Sequence, residues 1–414
     1  MMGDLTPAQQ HILTSQIMDE NQPGTILRDF ETLLAVMGDQ GTAVGQKHQV
    51  LPLDTLATCN AQMTHPIQLG LKRPLQQSYP HIDALYLLLR ASGLGRIMGA
   101  RNQQRLAPDA ESLDSWWQLN PTERYFTLLE TWLLRARLDI LGHRIGRGQP
   151  PIAKWHRFFQ DVSKRGGRIA GVRRVERSLP YNPGLLVVAL LELFGFMTIE
   201  HGTPSPGKGW TLIEVQPTSW GEAMLHLLVD KLMDFDFLWP LEEEPNDREF
   251  GELQVLLQPY FPAWRDNLHL SAVDFQDGIY LFRVSLGRVW RRIAIPAQLY
   301  LDDLSDSILG AFEFDDDHLY QFEYQNRFGS TTSVCHPYMD EAPVTTEVRV
   351  GDVPLRPGTS MVYLFDFGDN WRFDVQLERI DPVDPAMRKA TVVDSHGKAP
   401  RQYDGDGEEA EWEE

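Results

Sequence analysis

The sequence predicts an α+β protein. A mostly α-helical N-terminal region, including a winged-helix-like unit, precedes a C-terminal α+β domain built on a mostly antiparallel sheet. Three observations predict it. Up to about residue 240 apolar residues recur at helical spacing, whereas from Gly278 they alternate, the period of a strand. Several of the strand-like runs lie too close together for crossovers, so most neighbours are antiparallel. Charge divides at the same place: residues 1–240 hold 23 Lys+Arg and 23 Asp+Glu, while residues 241–414 hold 15 against 35, the whole net charge of −20.

Region 1–115 reads as short helices broken by Gly and Pro. In TILRDFETLLAVMG (Thr25–Gly38), Ile26, Leu27, Phe30, Leu33, Leu34 and Met37 share one helical face between a capping Thr25 and a terminating Gly38. Ile82–Gly95 is a second helix with a glycine stop. Region 116–240 is basic and helical. It opens with Asn120–Gly142, where the cap Asn120, the first-turn Pro121, Glu123 and the final Gly142 predict one helix. IAKWHRFFQDV follows as helix and SKRGGRIAGVRRVERS as loop or helix start. LLVVALLELFG (Leu185–Gly195) is apolar nearly all round, which predicts a buried helix. FMTIEHGTPSPGKGWTLIEVQPTS reads as a hairpin, and Trp220–Leu238 as helix. Helix, hairpin and helix in this order suggest a winged-helix unit. No internal repeat is evident.

Residues 241–272, beginning LEEEPNDREFGE, read as an acidic linker and bridge. In the α+β domain, 273–403, the strands are IYLFRVSL, VWRRIAI, LYQFEYQ, TEVRV, MVYLFDF and WRFDVQLERI. Between them Leu301, Leu304, Ile308, Leu309 and Phe312 mark one face of a helix. The tail 404–414 has 7 acids in 11 residues and reads as solvated and disordered.

The 414 residues suffice for two or three cores. No apolar run reaches the ~18–20 residues of a bilayer span, and the N-terminus has no basic start before an apolar stretch. Cys59 and Cys335 are too few and too far apart for a disulfide framework or a thiolate zinc site. The expectation is a cytoplasmic protein without a membrane partner.

Three stretches carry a resemblance: VWRRIAIP (Val289–Pro296), LDDLSDSILGAFEFDDDHLYQFEY, and YLFDFGDNWRFDV (Tyr363–Val375). They resemble the Trp-Arg-Arg strand, the helix with its aromatic-Asp turn and His-Leu-x-x-Phe strand, and the Tyr-x-Tyr/Phe-Asp-Phe-Gly-Asp-x-Trp signature of the plasmid pRiA4b ORF-three-like family. That family is also met as a passenger protein of insertion sequences. SHGKAPRQY (Ser395–Tyr403) is similar to its end, so the resemblance covers about 277–403. It names Trp290, Arg291, Arg292, His318, Phe322, Tyr363, Asp366, Gly368, Asp369 and Trp371 as signature residues, and it implies a fold more than an activity. Phe373 and Ser305 stand where the family often has His, and its Cys-Pro-Pro-Glu-Asp-Cys segment is absent.

Two chemistries compete for the acidic clusters. Clustered carboxylates bind hard cations, so Asp366 and Asp369, joined by Asp374 or by Asp315, Asp316, Asp317 and His318, would make a Mg²⁺ or Mn²⁺ site. The structural alternative makes FDFGDNW a hairpin, with Phe365 and Phe367 on one side and Asp366 on the other, and with Gly368, Asp369 and Asn370 as its turn. The structural reading is preferred and expects no cofactor. DDDH would likewise be a solvated turn, with Leu319 and Phe322 anchoring the next strand. The arginines of Trp290-Arg291-Arg292 would pair with acids of their own domain.

The basic stretch Arg135–Arg177 carries 12 basic and 3 acidic residues. Arg137, Arg144, Arg147, Lys154, Arg157, Lys164, Arg165, Arg168, Arg173, Arg174 and Arg177 would neutralise phosphates, with Trp155, His156 and Phe158 available for stacking or packing. The helix LLVVALLELF offers no base-reading side chain, so any further contact falls to another helix or to the wing at Lys208. The leading expectation is a non-enzymatic, mobile-element-associated protein. Its basic region would bind DNA, RNA or a protein partner, and its acidic domain would be an interaction module. The rivals are a metal-dependent enzyme acting on nucleic acid and a protein-binding adaptor.

Overall fold

The computed structural model describes residues 4–46, 49–99, 103–142, 151–232, 249–270 and 275–403. Two compact units emerge. The first holds Met1–Ile97, Gln104–Ser271 and Arg327–Ser330; the second holds Met98–Gln103, Ala272–Asn326 and Thr331–Glu414.

In unit 1, α1 (Pro7–Ser15) precedes a run of α2 (Ile26–Met37), β1 (Thr42–Ala43), α3 (Leu53–Gln62), α4 (Pro80–Ala91) and the strands β2 (Gly95–Met98) and β3 (Arg105–Pro108). The strands order β1-β3-β2, which is winged-helix connectivity. After α5 (Ala110–Gln118) and α6 (Pro121–Glu130) the same run recurs as α7 (Pro151–Arg165), α8 (Arg173–Ser178), α9 (Leu185–Leu193), β4 (Met197–His201) and β5 (Leu212–Pro217), closed by α10 (Ser219–Leu232). Here the third strand is a single antiparallel bridge, Arg168 to Glu214. Ile169 N–H donates to Ile213 O at 2.8 Å and Val215 N–H to Gly167 O at 3.0 Å.

Unit 1 is thus a tandem repeat, which corrects the expectation of none. The equivalence reaches individual bonds. Gly93 and Gly195 end α4 and α9 at φ +77° and +73°, a conformation that glycine adopts without cost. The carbonyls of the next residues, Leu94 and Phe196, accept the N–H of Asp109 at 2.9 Å and of Thr218 at 3.1 Å. Those two residues then cap α5 and α10, accepting from Ser112 N–H at 3.1 Å and Gly221 N–H at 2.9 Å. The two apolar helices α4 and α9 pack on each other. All of α4 is buried, as are Val187–Leu191 and Leu193 of α9.

The helix expected over 120–142 is shorter. α6 ends at Glu130, a π-turn spans Thr131–Arg135, Ala136 turns extended, and a 3₁₀ turn runs Leu138–Leu141. Much of the expected acidic linker is instead core. Leu253 and Leu257 of α11 (Glu252–Leu257), with Phe261 and Trp264, are buried, and Trp264 stacks on Phe126 at 4.3 Å. Residues 233–248 of the linker and of the helix expected to Leu238 lie outside the described residues, as does the tail 404–414.

Unit 2 is a seven-stranded sheet of order β12-β7-β6-β11-β10-β8-β9. The strands are β6 (Ile279–Leu286), β7 (Val289–Pro296), β8 (Tyr320–Gln325), β9 (Thr331–Cys335), β10 (Ser360–Phe365), β11 (Trp371–Asp381) and β12 (Thr391–His396). Every named pair is antiparallel. α12 (Leu301–Phe312) packs its expected apolar face, Leu301, Leu304, Ile308, Leu309 and Phe312, into a core with Phe282, Ile293, Phe322, Tyr363 and Val375. The expected strand TEVRV is a turn leading into a 3₁₀ segment at Val350–Asp352, and β9 and β12 were not foreseen. β12 is exposed throughout, so it lacks the buried alternation that marks a strand.

Candidate nucleic-acid interface

The basic stretch becomes the outer side of the second repeat. In α7, Ile152, Trp155, Phe158, Phe159 and Val162 face inward at helical spacing. Arg157, Lys164, Arg165, Arg168, Arg173, Arg174 and Arg177 are exposed, and Lys154 is half-buried. α8 buries nothing. Among the described residues, Arg96, Arg124, Arg137 and Lys231 form ion pairs in unit 1, as do His81, His201 and His269 when protonated. Among the described residues none is formed by Lys164, Arg165, Arg168, Arg173, Arg174 or Arg177. Between residues 151 and 178 stand 8 basic and 2 acidic side chains. Arg144 and Arg147 lie outside the described residues.

The aromatics expected to stack are spent inside. Trp155 is fully buried, 4.2 Å from Phe196 and 5.9 Å from Trp132, and Phe158 is buried beside it. His156 is half-buried against Gln160 at 3.0 Å, and burial lowers its pKa. Among the described aromatics between residues 151 and 184, Tyr181, after α8, is the ring left in the open at 85% exposure. The wing is held down: Gly70 N–H donates to Lys208 O at 3.0 Å, and Gly207 N–H to Gly70 O at 2.8 Å. Lys208 itself is exposed.

One polar cluster of unit 1 left no mark in the sequence. The Glu192 carboxylate, inside the repeat pair, accepts from His81 Nε2 at 2.6 Å and from His201 Nε2 at 2.9 Å. Trp210 Nε1 donates to His201 Nδ1 at 3.3 Å. His201 and Trp210 follow Glu192 at nine-residue steps, but His81 lies 111 residues before it, so no local spacing announces the whole cluster.

In unit 2 the signature residues split between core and turn. Tyr363 and Phe322 are fully buried. Ser305 and Phe373 both meet Tyr363: Ser305 Oγ lies 2.7 Å from its hydroxyl and the Phe373 ring 5.6 Å from its ring. Those positions are therefore packing here. Arg292 pairs with acids as expected, bidentate to Glu378 at 2.9 and 3.1 Å and to Asp394 at 2.8 Å. Arg291 does not. It is buried and donates to the carbonyls of Ala311, Trp290, His396 and Gly397 at 2.9–3.2 Å. The Trp290 ring lies under Arg283 and Arg292 at 4.9 and 5.1 Å.

FDFGDNW is a tight turn, with a correction to its phase. β10 ends at Phe365, and Asp366 turns to φ +55° with Asn370 at +58°. Phe367 is therefore exposed and does not continue the alternation. The positive φ falls on Asp366 and not on Gly368. Asp366 Oδ1 accepts from Gly368 N–H at 2.8 Å, and Oδ2 lies 3.4 Å from His318 Nε2. Asp315–His318 are exposed, and Leu319 is too, so Tyr320 and Phe322 anchor β8. Gln402 and Tyr403 latch the Asp315–His318 turn: Gln402 Nε2 donates to Asp315 O and to Asp317 Oδ1, both at 3.1 Å, and Tyr403 donates to Asp317 Oδ2. That bond lowers the Asp317 pKa and pushes the Tyr403 phenol up to about 12. Asp369 is exposed at the tip. Among the described residues, no group of three or more His, Cys, Asp or Glu is arranged to hold a metal ion.

Fold and site together define a two-unit protein, a tandem winged-helix unit with one basic side and an acidic sheet domain. Residues 279–409 match the family model described as plasmid pRiA4b ORF-3-like protein, so the resemblance carried by the three stretches stands for the C-terminal third. No curated protein matches the chain. Among solved structures, a crystal structure of a protein of unknown function from Methanosarcina mazei Go1 is 25% identical, over 30% of this chain and 72% of that one, with a TM-score of 0.27. Among the described residues no helix is long and apolar enough to cross a membrane.

Proposed function

We propose that the chain is a non-enzymatic nucleic-acid-binding protein that contacts its partner through α7 and α8 and uses the sheet domain as an interaction module. The carrying observation is the exposed set Lys164, Arg165, Arg168, Arg173, Arg174 and Arg177, left without ion pairs among the described residues. A folded protein that needed these charges only for solubility would intersperse acids among them; phosphates fit a one-sign surface. The plasmid in the family's description supports a mobile-element association.

Fluorescence anisotropy with duplex DNA, single-stranded DNA and RNA across a salt series tests this reading. Binding should fall steeply with salt and be lost when Arg165, Arg168, Arg173 and Arg174 become Ala. No binding at ~50 mM salt by the folded protein would sink it and leave a protein-binding adaptor.

A further inference from the structure

We infer that this surface holds the phosphates of duplex nucleic acid without reading its bases. The inference rests on the nucleic-acid reading above and adds what is recognised and what is not.

Helix-turn-helix proteins read sequence by laying one helix in the major groove. In each repeat of unit 1 that place in the chain order belongs to α4 or α9, and the two helices bury each other. The one polar side chain of α9, Glu192, is occupied by His81 and His201. A groove cannot be entered by a helix whose outer side is the partner repeat.

The wing of the second repeat is held down by contact as well. Besides its two hydrogen bonds to Gly70, it lies so close that a Cβ on Gly70 would stand 1.7 Å from Ser205 O. The wing backbone is therefore held against Gly70 of the other repeat, and of its exposed residues Thr203, Pro204, Pro206, Gly207 and Lys208 only Lys208 carries a charge.

What remains among the described residues is the charge of α7, of the loop after it and of the short helix α8. Reading a base edge needs a donor fork held at a defined angle. Arg173, Arg174 and Arg177 rise from a six-residue helix that buries no side chain, and no described contact orients their guanidinium groups. Mobile cations suit phosphates, which lie along the whole backbone and tolerate many geometries. Single strands are bound largely by stacking on exposed rings. Trp155, Phe158 and Phe159 are buried, which leaves Tyr181. Charge without stacking or base contact fits the dense, regular phosphates of a duplex.

The test uses the full chain and anisotropy on two duplexes of equal length, one A·T-rich and one G·C-rich, and on one single strand. The two duplexes should bind within about tenfold of each other, against the roughly thousandfold or greater preference of sequence-specific proteins. Converting Arg173, Arg174 and Arg177 to Ala should lower the salt slope by about 3, equally on both duplexes. Tyr181→Ala should leave duplex affinity unchanged. A thousandfold preference between duplexes, tighter single-strand binding lost in Tyr181→Ala, or an unchanged salt slope in the triple variant would each overturn the inference while the nucleic-acid reading stands. No binding to any probe overturns both.

Discussion

The Glu192 carboxylate on α9 accepts a 2.6 Å hydrogen bond from His81 on α4, so the two apolar helices of the repeat pair are joined by a charge. Burial alone would raise its pKa. The bonds from His201 and His81, and their charge when protonated, outweigh that and hold it at about 2, below the ordinary 4.5. A folded pKa below the unfolded one stabilises the fold above the unfolded value and loses that contribution as pH falls towards the folded one. The contribution should be on the order of 3 kcal/mol at neutral pH. Urea midpoints at intervals between pH 2 and 7, for wild type and Glu192→Gln, measure it. The gap between the two proteins should be widest above pH 4.5 and close as pH falls towards 2. A gap that does not change with pH would mean that the carboxylate charge has no part in joining the helices.

Strands β6, β7, β8, β10 and β11 of unit 2 and the apolar face of α12 were legible because they bury one side more than the other, and burial writes a period into the chain; β9 was missed and TEVRV was wrongly read as a strand. β12 was not legible, because an edge strand exposed on both faces needs no apolar residue. The repeat of unit 1 was hidden for a related reason. Its two copies share positions and not residues: a left-handed glycine, a buried residue after it, then a cap that is Asp109 in one copy and Thr218 in the other. The basic stretch was visible as charge. That its tryptophan and phenylalanines point inward could be read only once the spacing of Ile152, Trp155, Phe159 and Val162 was set on a helix with a known inner side. The clasp on Glu192 depends on contacts over long separations, which no local pattern encodes.

Glu130 should hold α11 in place. It is buried, and its two oxygens accept from Gly251 N–H at 2.9 Å and Leu253 N–H at 3.2 Å, capping α11 from α6. Burial, which outweighs those bonds and Arg135, raises its pKa. The sign is thus opposite to that of Glu192: its titration favours the fold at low pH and works against it as pH rises through 4.5. Glu130→Ala leaves two donors without their acceptor and should cost about 2–4 kcal/mol. Hydrogen exchange should show protection lost first over residues 250–257. Uniform loss across unit 1 would place the role of Glu130 elsewhere.

Arg291 should not tolerate lysine. Its guanidinium reaches Ala311 O, at the end of α12, and His396 O and Gly397 O, past β12, from two of its edges, and it lies 4.9 Å over the Phe312 ring. An ammonium presents one point of charge and cannot span both sides. Arg291→Lys should cost about 2 kcal/mol and lower the melting temperature of unit 2 on the order of 5–10 °C. Arg292→Lys, whose partners Glu378 and Asp394 are part-exposed, should change the melting temperature far less. Equal losses in the two variants would contradict this division.

Asp366 separates a structural carboxylate from a ligand-bearing one. Its backbone stands at φ +55°, its N–H donates to Leu319 O at 3.0 Å, and its Oδ1 accepts from Gly368 N–H. Asparagine tolerates that φ and keeps an oxygen at the same place, so Asp366→Asn should cost under about 1 kcal/mol. Alanine loses the oxygen and strains the backbone, and Asp366→Ala should cost about 2–3 kcal/mol. Gly368→Ala should also destabilise, since its Cβ would meet Asp366 Oδ1 at 3.1 Å. Thermal melts with and without millimolar Mg²⁺ or Mn²⁺ complete the comparison. Wild type and Asp366→Asn should respond alike to either cation. A wild-type stabilisation by cation that vanishes in Asp366→Asn would show that the charge of Asp366, beyond its shape, is used.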